Sequence, residues 1–328
     1  MKIAFLENKL TLRGTSINLY EYAHYNETIL GNESIIITRP YDYVILSDTY
    51  DMDNSLAYDK FNKRFKVFYY YDKLDIVKIL IENQIDVVFI SKSGNANDGL
   101  VFNSCKSIIH CVFETQFPHG TIYTCISDYL NIIHNTNIPV LPYIVRVHDT
   151  NENLKKELEI PEQALVFGTY SGLDCFNIQY IRDTVIDVAS HNPNIFFIFM
   201  NIYEFGPKLQ NVKFLKGTDD MEYKRKFINT CEAMIYGRYE GETFGLACGE
   251  FSLCNKPVIA RKTKSGSEVH ILKDKIILHD NSEELKNILL NWDKFKIDVS
   301  DNGYKQFTPE NVMKIFDHYL RLIDHKLV

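Results

Sequence analysis

The sequence predicts an α/β protein of two doubly wound, Rossmann-like domains that face one another. Three observations carry that expectation. Short apolar runs alternate with amphipathic stretches almost from end to end, the pattern of parallel sheets covered by helices. At 328 residues, the chain exceeds a usual single domain and suits two units of roughly 150 residues each. The alternation breaks once, at "IPVLPYIVRVHDTNENLKKELEIPEQ", where Pro139 and Pro142 disfavour regular structure and a charged stretch follows. The expected division is therefore 1–150, 151–305 and a closing helix over 306–328.

In the first half the strand candidates are "KIAFL" at Lys2, "SIIIT" at Ser34, "FKVFYY" at Phe65, "DVVFI" at Asp86, "SIIHCVF" at Ser107 and "TIYTCIS" at Thr121. Between two of them "DKLDIVKILIEN" places Leu74, Val77 and Ile81 on one helical face. The second series runs "ALVFGTY", "NIFFIFMN", "NVKFL", "EAMIYG", "KPVIA" and "KIILH". Helical patterns separate these at "NIQYIRDTVIDVAS", "DDMEYKRKFINT" and "TFGLACGEFSLC". Asp219 and Asp220 suit the start of the second of these, where carboxylates cap free amides. In the closing "FTPENVMKIFDHYLRLIDHKL", Thr308 is the expected N-cap and Pro309 fits the first turn. Val312, Ile315, Phe316, Tyr319 and Ile323 form its apolar stripe, and the helix is expected to pack back on the first domain.

Hydrophobic residues make up 45% and charged residues 24%, a globular rather than a disordered balance. The formal net charge of -7 repels a polyanion, which argues against a nucleic-acid partner. Seven scattered cysteines, with no Cys-x-x-Cys pair, read as reduced thiols. The N-terminal apolar run is too short for a signal or a span, and no later segment is long enough. A cytoplasmic protein is expected, with peripheral membrane contact left open. No His-Glu-x-x-His, no Gly-x4-Gly-Lys and no Gly-x-Gly-x-x-Gly occurs.

The densest chemical signal is "YGRYEGETFGLACGEFS", Tyr236 to Ser252. It follows a strand pattern and enters a helical one, so free N–H groups and the positive dipole end would face a ligand. Gly241, Gly245 and Gly249 recur every four residues and strip one side of side chains. Read as helical, Glu242 and Glu250 lie about 12 Å apart, little more than two turns, and line one cleft. Two acceptors so spaced suit the two ends of a nucleotide sugar, with a phosphate between them. A capped helix packed closely through small residues accounts for the same pattern.

"EGETFGLACGE" resembles the Glu, seven residues, Glu signature of retaining glycosyltransferases with the GT-B architecture, family 4 in particular. The order of elements over 160–280 is similar to their nucleotide-sugar domain. The resemblance implies that Glu250 holds the donor ribose and that Glu242, the catalytic candidate, faces the donor sugar. Amides of Thr243, Phe244, Gly245 and Leu246 would receive sugar hydroxyls and diphosphate. Lys262 or Lys264, in "RKTKSGSE", would contact phosphate. In the first half "LTLRGTSINLYEYAHY" resembles the glycine loop at the cleft, with Gly14 and Thr15 near the donor phosphates. His110 and His119 fall in a region similar to the cleft-facing strands, and His110 is the second catalytic candidate.

The sequence also departs from that pattern. Family 4 enzymes carry a basic pair after the first strand of the second domain, and here Thr169 and Asp174 stand in those places. Arg238 and Lys262 are the candidates to supply the missing charge. "DMD", Asp51 to Asp53, formally matches a metal-chelating Asp-x-Asp but lies in a turn-like stretch. The implied activity is metal-independent, retaining transfer from a UDP or GDP sugar to a hydroxyl-bearing acceptor such as a glycan, with no cofactor. A sugar-nucleotide or glycan-binding protein without turnover, and a sugar-nucleotide epimerase, are the alternatives.

Overall fold

The structure is a computed structural model that describes residues 1–43, 55–263 and 266–325. Along the first half run β1 (Lys2–Leu6), α1 (Gly14–Thr28), β2 (Glu33–Thr38), α2 (Ser55–Arg64), β3 (Lys66–Tyr69), α3 (Lys73–Glu82), β4 (Val87–Lys92), β5 (Lys106–Cys111), β6 (Ile122–Cys125) and α4 (Asp128–His134). The second half continues with β7 (Leu165–Tyr170), α5 (Gln179–His191), β8 (Ile195–Met200), β9 (Val212–Leu215), α6 (Met221–Thr230), β10 (Ala233–Ile235) and α7 (Leu246–Leu253). It ends with β11 (Val258–Arg261), α8 (Ser267–Leu272), β12 (Ile277–His279), α9 (Ser282–Leu290), α10 (Trp292–Phe295) and α11 (Pro309–His325). Each strand falls on one of the apolar runs read from the sequence. Asp51 to Asp53 lie outside the described residues.

The chain divides into one unit of Met1–Ile144 with Phe307–Val328 and another of Val145–Gln306. The first division thus falls a few residues before the expected 150/151, directly after the buried segment that carries Leu141 and Ile144. In the first unit the six parallel strands are ordered β3-β2-β1-β4-β5-β6, and in the second β12-β11-β10-β7-β8-β9. Both sheets are therefore doubly wound with a reversal beside their first strand. Central strands such as β1 and β4 are covered on both faces, which is why they read as unbroken apolar runs.

Local chemistry sets the helix ends. Asp72 accepts from the amides of Leu74 at 2.8 Å and Asp75 at 3.1 Å, while Asp75 accepts from the Asp72 amide at 3.2 Å, a closed capping box on α3. Asp220 caps α6 through the amides of Glu222 and Tyr223. Thr308 Oγ1 accepts from the Asn311 amide at the start of α11. That helix buries Val312, Met313, Phe316, Leu320 and Ile323 in the core of the first unit, with Ile315 and Tyr319 packed beside them.

His110, expected near the chemistry, belongs to this core. It is 2% exposed, and its Nε2–H donates to the Leu141 carbonyl at 2.8 Å. Its ring packs against Tyr22, Phe89 and Tyr143. Burial pushes its pKa down to about 4, and the structure places the imidazole, the second catalytic candidate, as a packing group of the core. A position at a strand end does not tell which way the side chain turns.

At the end of β1, Glu7 is buried beside the start of α1. Among the described residues Oε2 has no hydrogen-bond partner, and burial pushes the carboxyl up to about 7, against the pull of the Ser16 and Thr15 hydroxyls. A carboxyl whose folded pKa is raised holds its stabilising contribution below the unfolded value and loses it as pH climbs through 7. Glu7→Gln is thus expected to match the parent stability near pH 4 and to exceed it by up to roughly 3 kcal/mol above pH 8. Urea unfolding across that range checks this, and an equal difference at both ends would refute it.

Candidate functional site

In the second unit the sheet order reverses between β7 and β10, the switch point beside which open α/β sheets bind ligands, at the carboxyl ends of the strands. The loops leaving these two strands are laced together. The Gly237 carbonyl accepts from the amides of Asn177 at 2.9 Å and Ile178 at 3.1 Å, and Asn177 Oδ1 accepts from the Tyr239 amide at 2.8 Å. Gly237 has no room for a side chain, because a Cβ would stand 2.5 Å from the buried Phe176 ring.

Glu242 sits on the second of these loops with its side chain 22% exposed. Arg238 Nη1 lies 3.5 Å from its Oε2, and the Tyr236 hydroxyl donates to Oε1 at 3.3 Å. Burial holds the carboxyl above its ordinary range, while Arg238 and Tyr236 pull it back. Arg238 also meets Glu240 at 3.6 Å. The candidate phosphate-binding cation is accordingly shared between two carboxylates.

The backbone of Glu242 is held separately from its side chain. Its amide donates to Glu268 Oε2 at 3.2 Å, and its carbonyl accepts from the Ser267 amide at 2.7 Å. Glu268 is wholly buried and takes the Gly266 amide on its other oxygen at 2.9 Å. Desolvation pushes this carboxyl up to about 7, opposed by the Gly266 N–H. Gly266 must be glycine, since a Cβ would lie 2.2 Å from the Glu242 nitrogen.

Helix α7 begins at Leu246, later than the sequence pattern indicated. Gly245 precedes it in the left-handed region at φ +80°, and among the described residues no side chain caps the helix. Glu242 is therefore on the loop and not on the helix, and the helical spacing of about 12 Å does not describe its separation from Glu250. What survives is an uncapped helix start whose first-turn amides have no intrahelical acceptor, four residues from a carboxylate paired with an arginine. Phe244 is buried, whereas Thr243 and Leu246 are half-buried. Such a turn can receive an oxyanion, and Glu242 can accept from a hydroxyl.

Glu250, the candidate for the donor ribose, is enclosed within the second unit. It is 3% exposed, and Lys224 Nζ reaches both of its oxygens, at 3.1 and 3.3 Å. The Tyr170 hydroxyl donates to Oε2 as well, and the Lys224 ammonium stands 4.9 Å over the Tyr170 ring. The carboxylate is the centre of a buried ion pair. A buried charge in a low-dielectric interior requires such partners, and the sequence pattern did not identify Lys224 as one.

Thr169 is buried in β7, and Asp174 is exposed in the following loop. Lys262 is exposed, and its amide extends the β12 pairing to the His279 carbonyl. Lys264 lies outside the described residues. In the first unit Gly14 opens α1 without a side-chain cap, and Thr15 is one of the hydroxyls that serve Glu7. His119 Nδ1–H donates to the Phe117 carbonyl at 2.6 Å, which leaves Nε2 to accept from Lys92 at 3.0 Å. Sequence reasoning quoted Glu268 within "KSGSE" without a separate role, and it gave no signal at Tyr304, whose hydroxyl donates to the Phe244 carbonyl at 2.8 Å.

No protein-family model and no curated protein matches the sequence. Solved structures do match in shape. The chain is similar to HepE of Anabaena in complex with UDP-glucose, with a TM-score of 0.68 and 15% identity over 98% of this chain and 100% of that one. It is similar to sucrose-phosphate synthase of Thermosynechococcus elongatus, with a TM-score of 0.69 and 12% identity over 99% and 100%. WaaG, a glycosyltransferase involved in lipopolysaccharide biosynthesis, matches with a TM-score of 0.63 and 12% identity over 95% and 99%. With two six-stranded parallel sheets of the same winding, each flanked by helices, the chain has the two-domain GT-B glycosyltransferase fold.

Proposed function

We propose that the protein transfers a sugar from a nucleotide diphosphate sugar to an acceptor hydroxyl, with retention of configuration and without a metal ion. The observation that carries this reading is the Glu242 carboxylate, paired with Arg238 beside the uncapped start of α7 at the sheet reversal. The fold shared with HepE, solved with UDP-glucose, supports a nucleotide-sugar donor. In this reading Glu242 accepts from a hydroxyl of the donor sugar, and the amides around Gly245 meet the diphosphate. Arg238 stabilises charge on the leaving group as the acceptor attacks. Glu250 supports the site by fixing Lys224 and Tyr170.

A panel of UDP, GDP and ADP sugars, assayed for release of nucleoside diphosphate with and without EDTA, tests the proposal. Release that survives EDTA, with an α-donor giving an α-product by NMR, is the expected result. Release abolished by EDTA would overturn metal independence, and an inverted product would overturn retention. One observation favours a second reading, a binder without turnover: Arg238 is shared by two carboxylates, and neither Thr169 nor Asp174 is basic. Donor binding with no release under any acceptor would decide for it, and conversion of the donor sugar without an acceptor would identify an epimerase.

A further inference from the structure

The turn at the start of α7 is oriented from beneath by two side chains remote in sequence. Tyr304 is wholly buried, and its hydroxyl donates to the Phe244 carbonyl at 2.8 Å. A trans peptide holds its C=O and N–H antiparallel. That bond therefore turns the Gly245 N–H to the opposite side, away from Tyr304. Glu268 acts in the same way three peptide units earlier in the loop: by accepting the Glu242 N–H at 3.2 Å, it turns the Gly241 carbonyl away from itself.

Packing leaves little freedom for an alternative. The Phe244 and Tyr304 rings meet edge to face at 5.8 Å. A Cβ on Gly245 would stand 2.8 Å from the Tyr304 oxygen and 3.4 Å from Glu268 Cβ. Only glycine fits there, and its φ of +80° favours glycine independently.

We propose that Tyr304 is a positioning residue whose hydroxyl fixes the Phe244–Gly245 peptide so that the Gly245 N–H is presented to the diphosphate of the donor. This rests on the reading of the turn as the diphosphate site. Tyr304 itself, on the buried side of the peptide, does not touch the ligand. A hydroxyl that merely satisfied a buried carbonyl would influence stability without distinguishing one ligand phosphate from another.

The test compares the full-length parent with Tyr304→Phe in calorimetric binding of UDP, GDP and ADP and of the matching monophosphates. For the diphosphate that binds the parent, affinity is expected to fall about tenfold or more in the variant. The monophosphate should change by less than about threefold. In a transfer assay the donor KM should rise while the acceptor KM stays put. Equal loss for both ligands, or no loss for either, overturns the proposal. A parent that binds none of the diphosphates overturns the donor reading, and this inference with it. Should the variant not fold, glycine-labelled parent protein supplies the answer by NMR. The Gly245 amide resonance should move with UDP and stay unmoved by UMP, and a resonance insensitive to both would refute the assignment.

Discussion

Glu242→Ala is expected to lower transfer by roughly 10²- to 10³-fold, about 3–4 kcal/mol of lost transition-state stabilisation, while leaving the fold in place. The size follows from truncating a partly desolvated carboxylate that is aligned by Arg238 and Tyr236. The small structural effect follows from how the loop is held. Its backbone is fixed by Glu268 and Ser267, which a side-chain truncation leaves untouched. The Arg238 pair is about a quarter exposed and contributes on the order of 1 kcal/mol at most. Steady-state kinetics beside thermal unfolding would read both halves, and full activity in the variant would remove Glu242 from the site.

Glu250→Ala is expected to do the reverse, destabilising the second unit by about 3–5 kcal/mol. Removing the carboxylate strands the Lys224 ammonium, whose side chain is 7% exposed, and deprives the Tyr170 hydroxyl of its acceptor. The sole tryptophan, Trp292, lies buried in the core of this unit, so its fluorescence during urea unfolding reports on the relevant transition. Replacing both charges, as in Glu250→Leu with Lys224→Met, should restore much of the loss, because burying two paired ions is itself expensive. A midpoint unchanged in Glu250→Ala would show that the ion pair is not what the carboxylate serves, and would return it to the donor.

The contrast between these two glutamates marks where sequence reading succeeds. The twelve strands were legible because a strand covered on both faces must be apolar throughout, whatever lies above and below it. The start of α11 was legible because a cap is a local hydrogen bond, from Thr308 to an amide three residues on. The Glu-x7-Glu spacing was equally visible, but reading it as one helix required a regular backbone from Glu242 onward. Gly245 interrupts that regularity with a left-handed φ, and no periodicity argument registers a single such residue. His110 shows the same limit: the sequence places it on a strand end, but only the surrounding rings decide that it points into the core.

By itself, then, the sequence determined the alternation that builds two doubly wound sheets and the local caps that start α6 and α11. Those features depend on side-chain polarity and on interactions within a few residues. Only the tertiary structure decided that Glu242 is partly exposed and Glu250 enclosed. It also decided that Lys224 neutralises Glu250 from 26 positions away and that Tyr304 grips the Phe244 carbonyl across 60. Burial and hydrogen-bond partnership set the charge and direction of a group, and both come from neighbours that the chain brings together only on folding.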